Sequence, residues 1–345
     1  MNRYDVVIVG AGPAGCAAAI SCARLGLHVA LIEGQPFPRF RPGESLHPGI
    51  EPLFEQLGVA EQLCGPTAVR FEGHWLHWNG APRFEAFGGD DGDKWRGFHI
   101  ERAHLDATLL AQAIAIGVEI RQPCRARRVL TQSNRVIGVD TDLGSLRAQY
   151  VIDASGARGW LQRQLGLPML RCSPPLVAHY GYSQGRGDAH TETACLQAEP
   201  DGWTWIAQVS DQTLHWTHLS FEKHSRNPSS SRVPKALRAM PTLGIARGAD
   251  VSWRITRACS GAGYFLVGDA ASQLDPASSH GVLKALLSGI QAAQVVADSL
   301  HRPALQMPAR MQYRQWLNGW FTQDMLQLRE FYRRHPHPPS WLFAD

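Results

Sequence analysis

Val6 to Val9 form an apolar run without alternation, which predicts a short parallel strand, buried on both faces, over Tyr4 to Val9. The period then changes. Gly10 opens a turn, Pro13 to Leu25 reads as helix, and Gly26 stands where that helix stops. His28 to Glu33 returns to a strand pattern, so the chain opens as a strand–helix–strand unit. Residues 48–64 have helical character. Phe71 to Trp78 alternates as a strand does, and Ala81 to Trp95 is rich in loop formers. Ala103 to Ile116 predicts a helix closed by Gly117, followed by a strand at Val118 to Ile120. Arg135 to Thr141 and Leu146 to Ile152 predict a strand pair that turns at Gly144.

A different texture follows. Leu176 to Tyr182, Thr191 to Gln197, Trp203 to Val209 and Thr213 to Phe221 are strand-like runs separated by turns. Helix returns near Pro234 to Met240, Tyr264 to Val267 is again a buried strand, and two helices are predicted over 281–299 and 309–334.

Composition narrows the class. A chain of 345 residues with 44% hydrophobic and 19% charged residues is globular and longer than one core usually serves. A net charge of +4 gives no case for nucleic acid. Lysine occurs only at Lys94, Lys223, Lys235 and Lys284, and the cluster Arg125, Arg127 and Arg128 reads as a solvated edge. The seven cysteines show no metal-ligand spacing, which predicts reduced thiols, a cytoplasmic protein and no metal site. The apolar N-terminus lacks a basic flank, and Gly281 to Leu300 carries Lys284, Gln291 and Gln294, so neither is read as a leader or a membrane span. His74, His77, His215 and His218 interleave with Trp75, Trp78 and Trp216. Alternation puts His74 and Leu76 on one face and Trp75 and His77 on the other, as sheet aromatics and not metal ligands.

Two motifs carry chemistry. Gly10-Ala11-Gly12-Pro13-Ala14-Gly15 follows a strand and opens a helix, the context in which G-x-G-x-x-G holds a pyrophosphate. Gly10 makes the turn, Gly12 admits the phosphate, and Gly15 lets helix and strand approach. Glu33, ending the second strand, stands where an acid holds ribose hydroxyls and disfavours a 2′-phosphate. The second motif lies more than 250 residues later, where a buried strand runs into Gly268 and Asp269 at its carboxyl end. Two nucleotide-site signals so far apart select FAD, which is long enough to need both.

Residues 39–49 (Arg-Phe-Arg-Pro-Gly-Glu-Ser-Leu-His-Pro-Gly) and Asp275-Pro-Ala-Ser-Ser-His-Gly281 resemble the flavin-dependent halogenases and their non-halogenating relatives in the p-hydroxybenzoate hydroxylase-like superfamily. Ile100 to Asp106 and Asp153 to Gly156 are similar to further segments of that superfamily. The resemblance implies an α/β, FAD-binding Rossmann-type fold with a β-rich substrate domain and C-terminal helices. The boundaries it suggests are 1–72, 99–165 and 248–300 for FAD, 73–98 and 166–247 for the substrate domain, and 301–345 for the helical segment. It implies that FAD is held by the glycine motif, Glu33, Gly34, Arg41, Ser45, Arg102, Asp269, Pro276, Gly281 and Val282. It points to Glu44, Ser45, His280 and Lys284 for catalysis, with Lys284 stabilising reduced flavin.

The sequence also departs from the halogenases. Ala207 replaces the proline of their W-x-W-x-I-P motif, Ser278 stands where tryptophan halogenases place a glutamate, and His280 stands at the halide-binding threonine. No lysine lies near Arg70, the residue closest to the catalytic amine. These departures point to a monooxygenase that hydroxylates an electron-rich ring through a flavin hydroperoxide. The acceptor is then a small aromatic molecule or a carrier-bound or peptidyl group, such as a tryptophan in a partner polypeptide whose tryptophylquinone cofactor is being matured. The electrons come from a separate flavin reductase or a transiently docked nicotinamide. Halogenation and reduction of isoprenoid double bonds are the alternatives.

Overall fold

The computed structural model describes residues 3–343 apart from 40, 66–67, 91–92, 189, 192 and 222–232. Its first sheet grows around Arg3–Val9, whose Val6, Val7 and Ile8 are fully buried. Val29–Ile32 pairs with one edge of this strand and Gly144–Asp153 with the other, both parallel. Glu119–Arg121 extends the sheet beyond Val29–Ile32, and Tyr264–Leu266 pairs in parallel with the far end of Gly144–Asp153. A meander, Ala126–Gln132 and Arg135–Thr141, adds antiparallel strands beside the near end. Helix Pro13–Arg24 packs against Gly281–His301. Gly289 makes that approach possible, because a Cβ there would overlap the Ala14 carbonyl oxygen.

The second sheet has seven strands in the order Thr242–Asp250, Val177–Gln184, Thr213–Ser220, Gly202–Ser210, Cys195–Glu199, Gly73–His77 and Arg83–Ala86. Its single parallel pairing, Cys195–Glu199 with Gly73–His77, joins segments more than a hundred residues apart. Alternation holds as the sequence predicts. His74 turns to Phe87 and Trp205, whereas Trp75 and His77 both pack on His190.

Four elements differ from the sequence expectation. The stretch read as loop contains the strand Arg83–Ala86, and the helix expected at Pro234 to Met240 is only the 3-10 turn Lys235–Leu237. Thr242–Asp250 was not legible as a strand. It is a sheet edge, where burial imposes no alternation, and Ile245 is 87% exposed. Ala126–Gln132 is the other such edge. There Arg127 and Arg128 lie in solvent beside Asp142 and Asp140, the solvated edge that the sequence predicts. Among the described residues no helix is long and apolar enough to cross a membrane.

Helix Gln306–Arg333 lays Tyr313, Leu317, Phe321, Asp324, Leu328 and Tyr332 onto the body as one stripe. At its end lies a buried polar knot. The Tyr332 hydroxyl donates to Asp275 Oδ2 at 2.8 Å and Trp253 Nε1 donates to the same oxygen at 2.7 Å. Trp203 Nε1 in turn donates to the Tyr332 hydroxyl at 2.7 Å. Burial pushes the Asp275 carboxyl up to about 6, against the pull of hydrogen bonds from Trp253, Tyr332 and the Ala277 amide. The folded state therefore binds this proton more tightly than the unfolded chain does. Its contribution to stability is greatest below pH 4 and falls as pH rises to 6, by on the order of 3 kcal/mol. Asp275→Asn keeps an acceptor but cannot ionise, so its stability relative to the wild type should rise between pH 4 and 6.5. Denaturant unfolding across that range measures it, and a constant difference would contradict the assignment.

Candidate active site

The turn after the first strand is built for a ligand. Gly10 has φ +102°, and a Cβ on it would lie 2.5 Å from the Ala154 carbonyl oxygen. A Cβ on Gly15 would overlap the Gly10 carbonyl, so these two glycines are demanded by packing. Gly12 differs. A Cβ there meets only Arg39 Nη2, at 3.5 Å, so the space above it is open to an incoming group. Gly12 is also the N-cap of helix Pro13–Arg24 and offers no side chain to its amides, which leaves them to an anion. Asp153 secures the opposing wall: its buried carboxylate accepts from the Ser155 and Leu161 amides at 3.0 and 2.8 Å.

Glu33 is 6% exposed. Its carboxylate accepts from the Ala11 amide, the Gln35 amide and Arg39 Nη1, each at 2.9 Å. Arg39 was not singled out from the sequence, yet it bridges Glu33 to Asp106, 3.7 Å away, and its buried Nε has no hydrogen-bond partner. The sequence signals for it were its place at the start of the 39–49 segment and its spacing of six positions from the acid. Asp106 also holds Arg102 at 3.0 Å, and Arg102 Nη1 donates to the Pro42 carbonyl at 2.7 Å. A Cβ on Gly43 would touch both Arg102 and Val282, so the segment Arg41–Ser45, Arg102 and the start of helix Gly281–His301 converge. Arg41 donates to Gln35 Oε1 at 3.2 Å, and Gly34 lies under Arg125. Asp269, Pro276 and Gly281 are exposed at the other end. An open glycine cradle with the Arg39 Nη2 beside it, and a buried acid at the end of the second strand, together fit FAD.

Beyond this cradle, Glu44 is buried and accepts from the Tyr182 hydroxyl and, at 2.8 Å, from the Gly43 amide. Burial and the Glu44 charge push the Tyr182 phenol far up, so it stays a donor. His215 Nε2 lies 3.4 Å from Glu44, but neither ring nitrogen has a hydrogen bond among the described residues. Burial lowers its pKa and keeps it neutral. Burial likewise holds His99 at about 4. Its Nε2 lies 2.8 Å from the Thr193 carbonyl, which can only accept, so Nδ1 must accept from the Ser45 hydroxyl at 3.1 Å. The sequence marked Glu44 and Ser45 but not Tyr182 or His99, whose partners lie far along the chain.

Aromatic rings line the seam between the sheets. Phe71 stacks on His99 at 4.1 Å and meets Phe87 at 5.2 Å, and His74 reaches Phe87 and Trp205. Arg70 points elsewhere. It donates to Glu51 Oε1 at 2.8 Å and covers the Phe98 ring, because the strand alternates and gives the inner face to Phe71. Lys284 is buried, and its ammonium donates to the Ser272 carbonyl at 2.8 Å. Burial lowers its pKa, while Asp269 and Asp324 oppose this. His280 Nδ1 lies 3.1 Å from Asp324.

Gly12→Val should fold, since nothing but the end of a flexible arginine lies near the new side chain, and should lose FAD. Circular dichroism reports the fold and flavin absorbance after reconstitution reports the cofactor. A yellow variant would overturn the placement.

Known proteins share the fold and the cofactor class. A family model described as FAD dependent oxidoreductase matches residues 5–169, and one described as tryptophan halogenase matches residues 92–335. The tryptophan 2-halogenase of Chondromyces crocatus is 28% identical over 99% of this chain and 70% of its own. Among solved structures, the myxobacterial chondrochloren halogenase CndH superposes with a TM-score of 0.87 at 22% identity, covering 100% of this chain and 86% of that one. The peptidyl tryptophan dihydroxylase QhpG, described as essential for tryptophylquinone cofactor biogenesis, does so with 0.75 at 23%, covering 99% and 78%. The tryptophan halogenase model spans well over half the residues, and the chain belongs to that family of FAD-dependent oxidoreductases.

Proposed function

We propose that this enzyme hydroxylates an electron-rich aromatic ring, with tryptophan in a partner polypeptide as the acceptor class. The observation that carries the reading is that, among the described residues, no lysine presents a free amine to the seam; Lys223 lies outside them. Among the described residues, Lys94 is 68% exposed and paired with Glu72, Lys235 is exposed, and Lys284 is bound to the Ser272 carbonyl. Arg70, held by Glu51, stays protonated and faces away. A halogenase needs a group that captures or directs the halogen electrophile, whereas transfer of oxygen from a flavin does not. Bound FAD supplies the two-electron chemistry that activates dioxygen. The chain's own part is to hold the cofactor through the glycine cradle and Glu33, to stack the acceptor against Phe87, His74 and Trp205, and to keep Glu44 and His99 dry beside it.

A shallow, open depression beside the C-terminal helix, bordered by Arg257, Asn318, Thr322, Gln323, Leu326 and Gln327, offers surface to a polypeptide acceptor. Gln327 also borders a recess of about 120 Å³ that contains Ser278 and Asp324. Likeness to the peptidyl tryptophan dihydroxylase points the same way. The family model and the Chondromyces relative favour halogenation as a second reading.

One assay separates the two. Purified enzyme receives reduced flavin from a reductase, dioxygen, bromide and indole-bearing acceptors, including tryptophan, a tryptophan peptide and a folded candidate partner. The expected product has gained oxygen. Enzyme-dependent bromination with no oxygenated product would replace this reading with the second.

A further inference from the structure

We propose that His280 and Asp324 form the proton acceptor of the aromatic substitution, with His280 as the base that meets the substrate ring and Asp324 as the residue that positions it. The inference rests on the ring-substitution reading above, in its oxygenating or its halogenating form.

Asp324 is the one charged member of the buried stripe on helix Gln306–Arg333, between Phe321 and Leu328. A carboxylate there carries a desolvation penalty that packing does not require. Its Oδ2 lies 3.1 Å from His280 Nδ1, and the two side chains are 7% and 28% exposed. A carboxylate accepts, so Nδ1 carries the proton and Nε2 is left as the basic nitrogen. That nitrogen has no hydrogen bond among the described residues. The His280 ring stands edge-on to His47 at 5.3 Å, and His47 leads on to Phe87 at 6.3 Å, the start of the aromatic seam. His280 is also the N-cap of helix Gly281–His301, whose Val282 converges with Gly43 and Arg102 at the cofactor cradle. The dyad therefore lies where the cofactor end of the seam meets the C-terminal helix.

Electrophilic substitution forms one bond at a ring carbon, to an oxygen atom of dioxygen or to a halogen from halide that dioxygen oxidises. The O–O bond breaks, oxygen that is not transferred leaves as water, and one C–H bond breaks at that carbon. The C–H electron pair returns to the ring, and the proton passes to His280 Nε2, giving an imidazolium that Asp324 stabilises. The oxidant is dioxygen, and a reductase supplies the electrons that reduce FAD. The imidazolium then returns its proton to water, and Asp324 on its Nδ1 side borders a recess of about 120 Å³. Ser278, which borders the same recess, cannot take this proton, since its hydroxyl donates to the Asp275 carbonyl at 2.9 Å and is not basic. The other titratable groups facing the dyad are His47, whose pKa burial and His280 lower, and Lys284, whose acidic neighbours are Asp269 and Asp324.

Two measurements on the full-length FAD-loaded protein test the dyad. The first needs no turnover. In histidine-¹⁵N spectra, with His280 assigned by its loss in His280→Gln, the neutral ring should be protonated at Nδ1 and bare at Nε2. Asp324→Ala should abolish that preference. The second compares single-turnover product formation from ring-protiated and ring-deuterated indole acceptors. His280→Gln should slow it by about 100-fold or more. Asp324→Asn should slow it less, but should introduce a primary isotope effect absent from the wild type, and Asp324→Glu should restore the wild-type pattern. Flavin absorbance should be unchanged in every variant. A bare Nδ1 overturns the proposal. So does a His280→Gln enzyme that turns over at the wild-type rate with no isotope effect. A wild-type enzyme that converts no aromatic acceptor instead sinks the reading beneath it, a result separate from the tautomer.

Discussion

The hydrogen bond from the Ala11 amide to the Glu33 carboxylate is the constraint around which the molecule is organised. It ties the turn after the first strand to the end of the second, and so places a buried negative charge beside a ring of backbone donors. That charge needs compensation, which Arg39 provides, and Arg39 in turn reaches Asp106. Asp106 orients Arg102, and Arg102 grips the Pro42 carbonyl at the threshold of Glu44. One alternating line of charge thus runs from Glu33 beside the glycine turn to the segment that carries Glu44. Each member is satisfied only if its neighbour is in place.

The two ends of this line differ in character. At the glycine turn the demands are steric, and Gly10 and Gly15 have no room for a methyl group. At Glu44 and Ser45 the demands are electrostatic. Neutral His99 and His215, with a phenol held protonated, keep the surroundings of one carboxylate dry and polar. A rigid grip and a desolvated reaction space are what a redox cofactor that reacts with oxygen requires.

Much of the scaffold was legible in the sequence because it is written locally. The unbroken run Val6 to Val9, the glycine spacing and Glu33 each speak to neighbours within thirty residues, and the buried strands and the helix starting at Arg102 follow from periodicity. Sheet edges were not legible, because solvent leaves Thr242–Asp250 without a pattern. Nor were contacts that only tertiary structure creates. Tyr182 meets Glu44 across 138 residues and His280 meets Asp324 across 44. Arg70 illustrates strand alternation. It lies close in sequence to the position that mattered, but strand alternation turned Phe71 inward in its place.

The polar knot at Asp275 has a consequence for biogenesis. Its four members are drawn from residues 203, 253, 275 and 332, so the core beneath the second sheet closes only after Tyr332 has been made. The first sheet also waits, for Tyr264–Leu266. Until then Trp203, Trp253 and their apolar neighbours are exposed on a nascent chain, and the pairing of Gly73–His77 with Cys195–Glu199 must span a long loop. Folding of this core is therefore tied to contacts of long sequence separation, and its tryptophans stay uncovered until residues 203 and 332 meet.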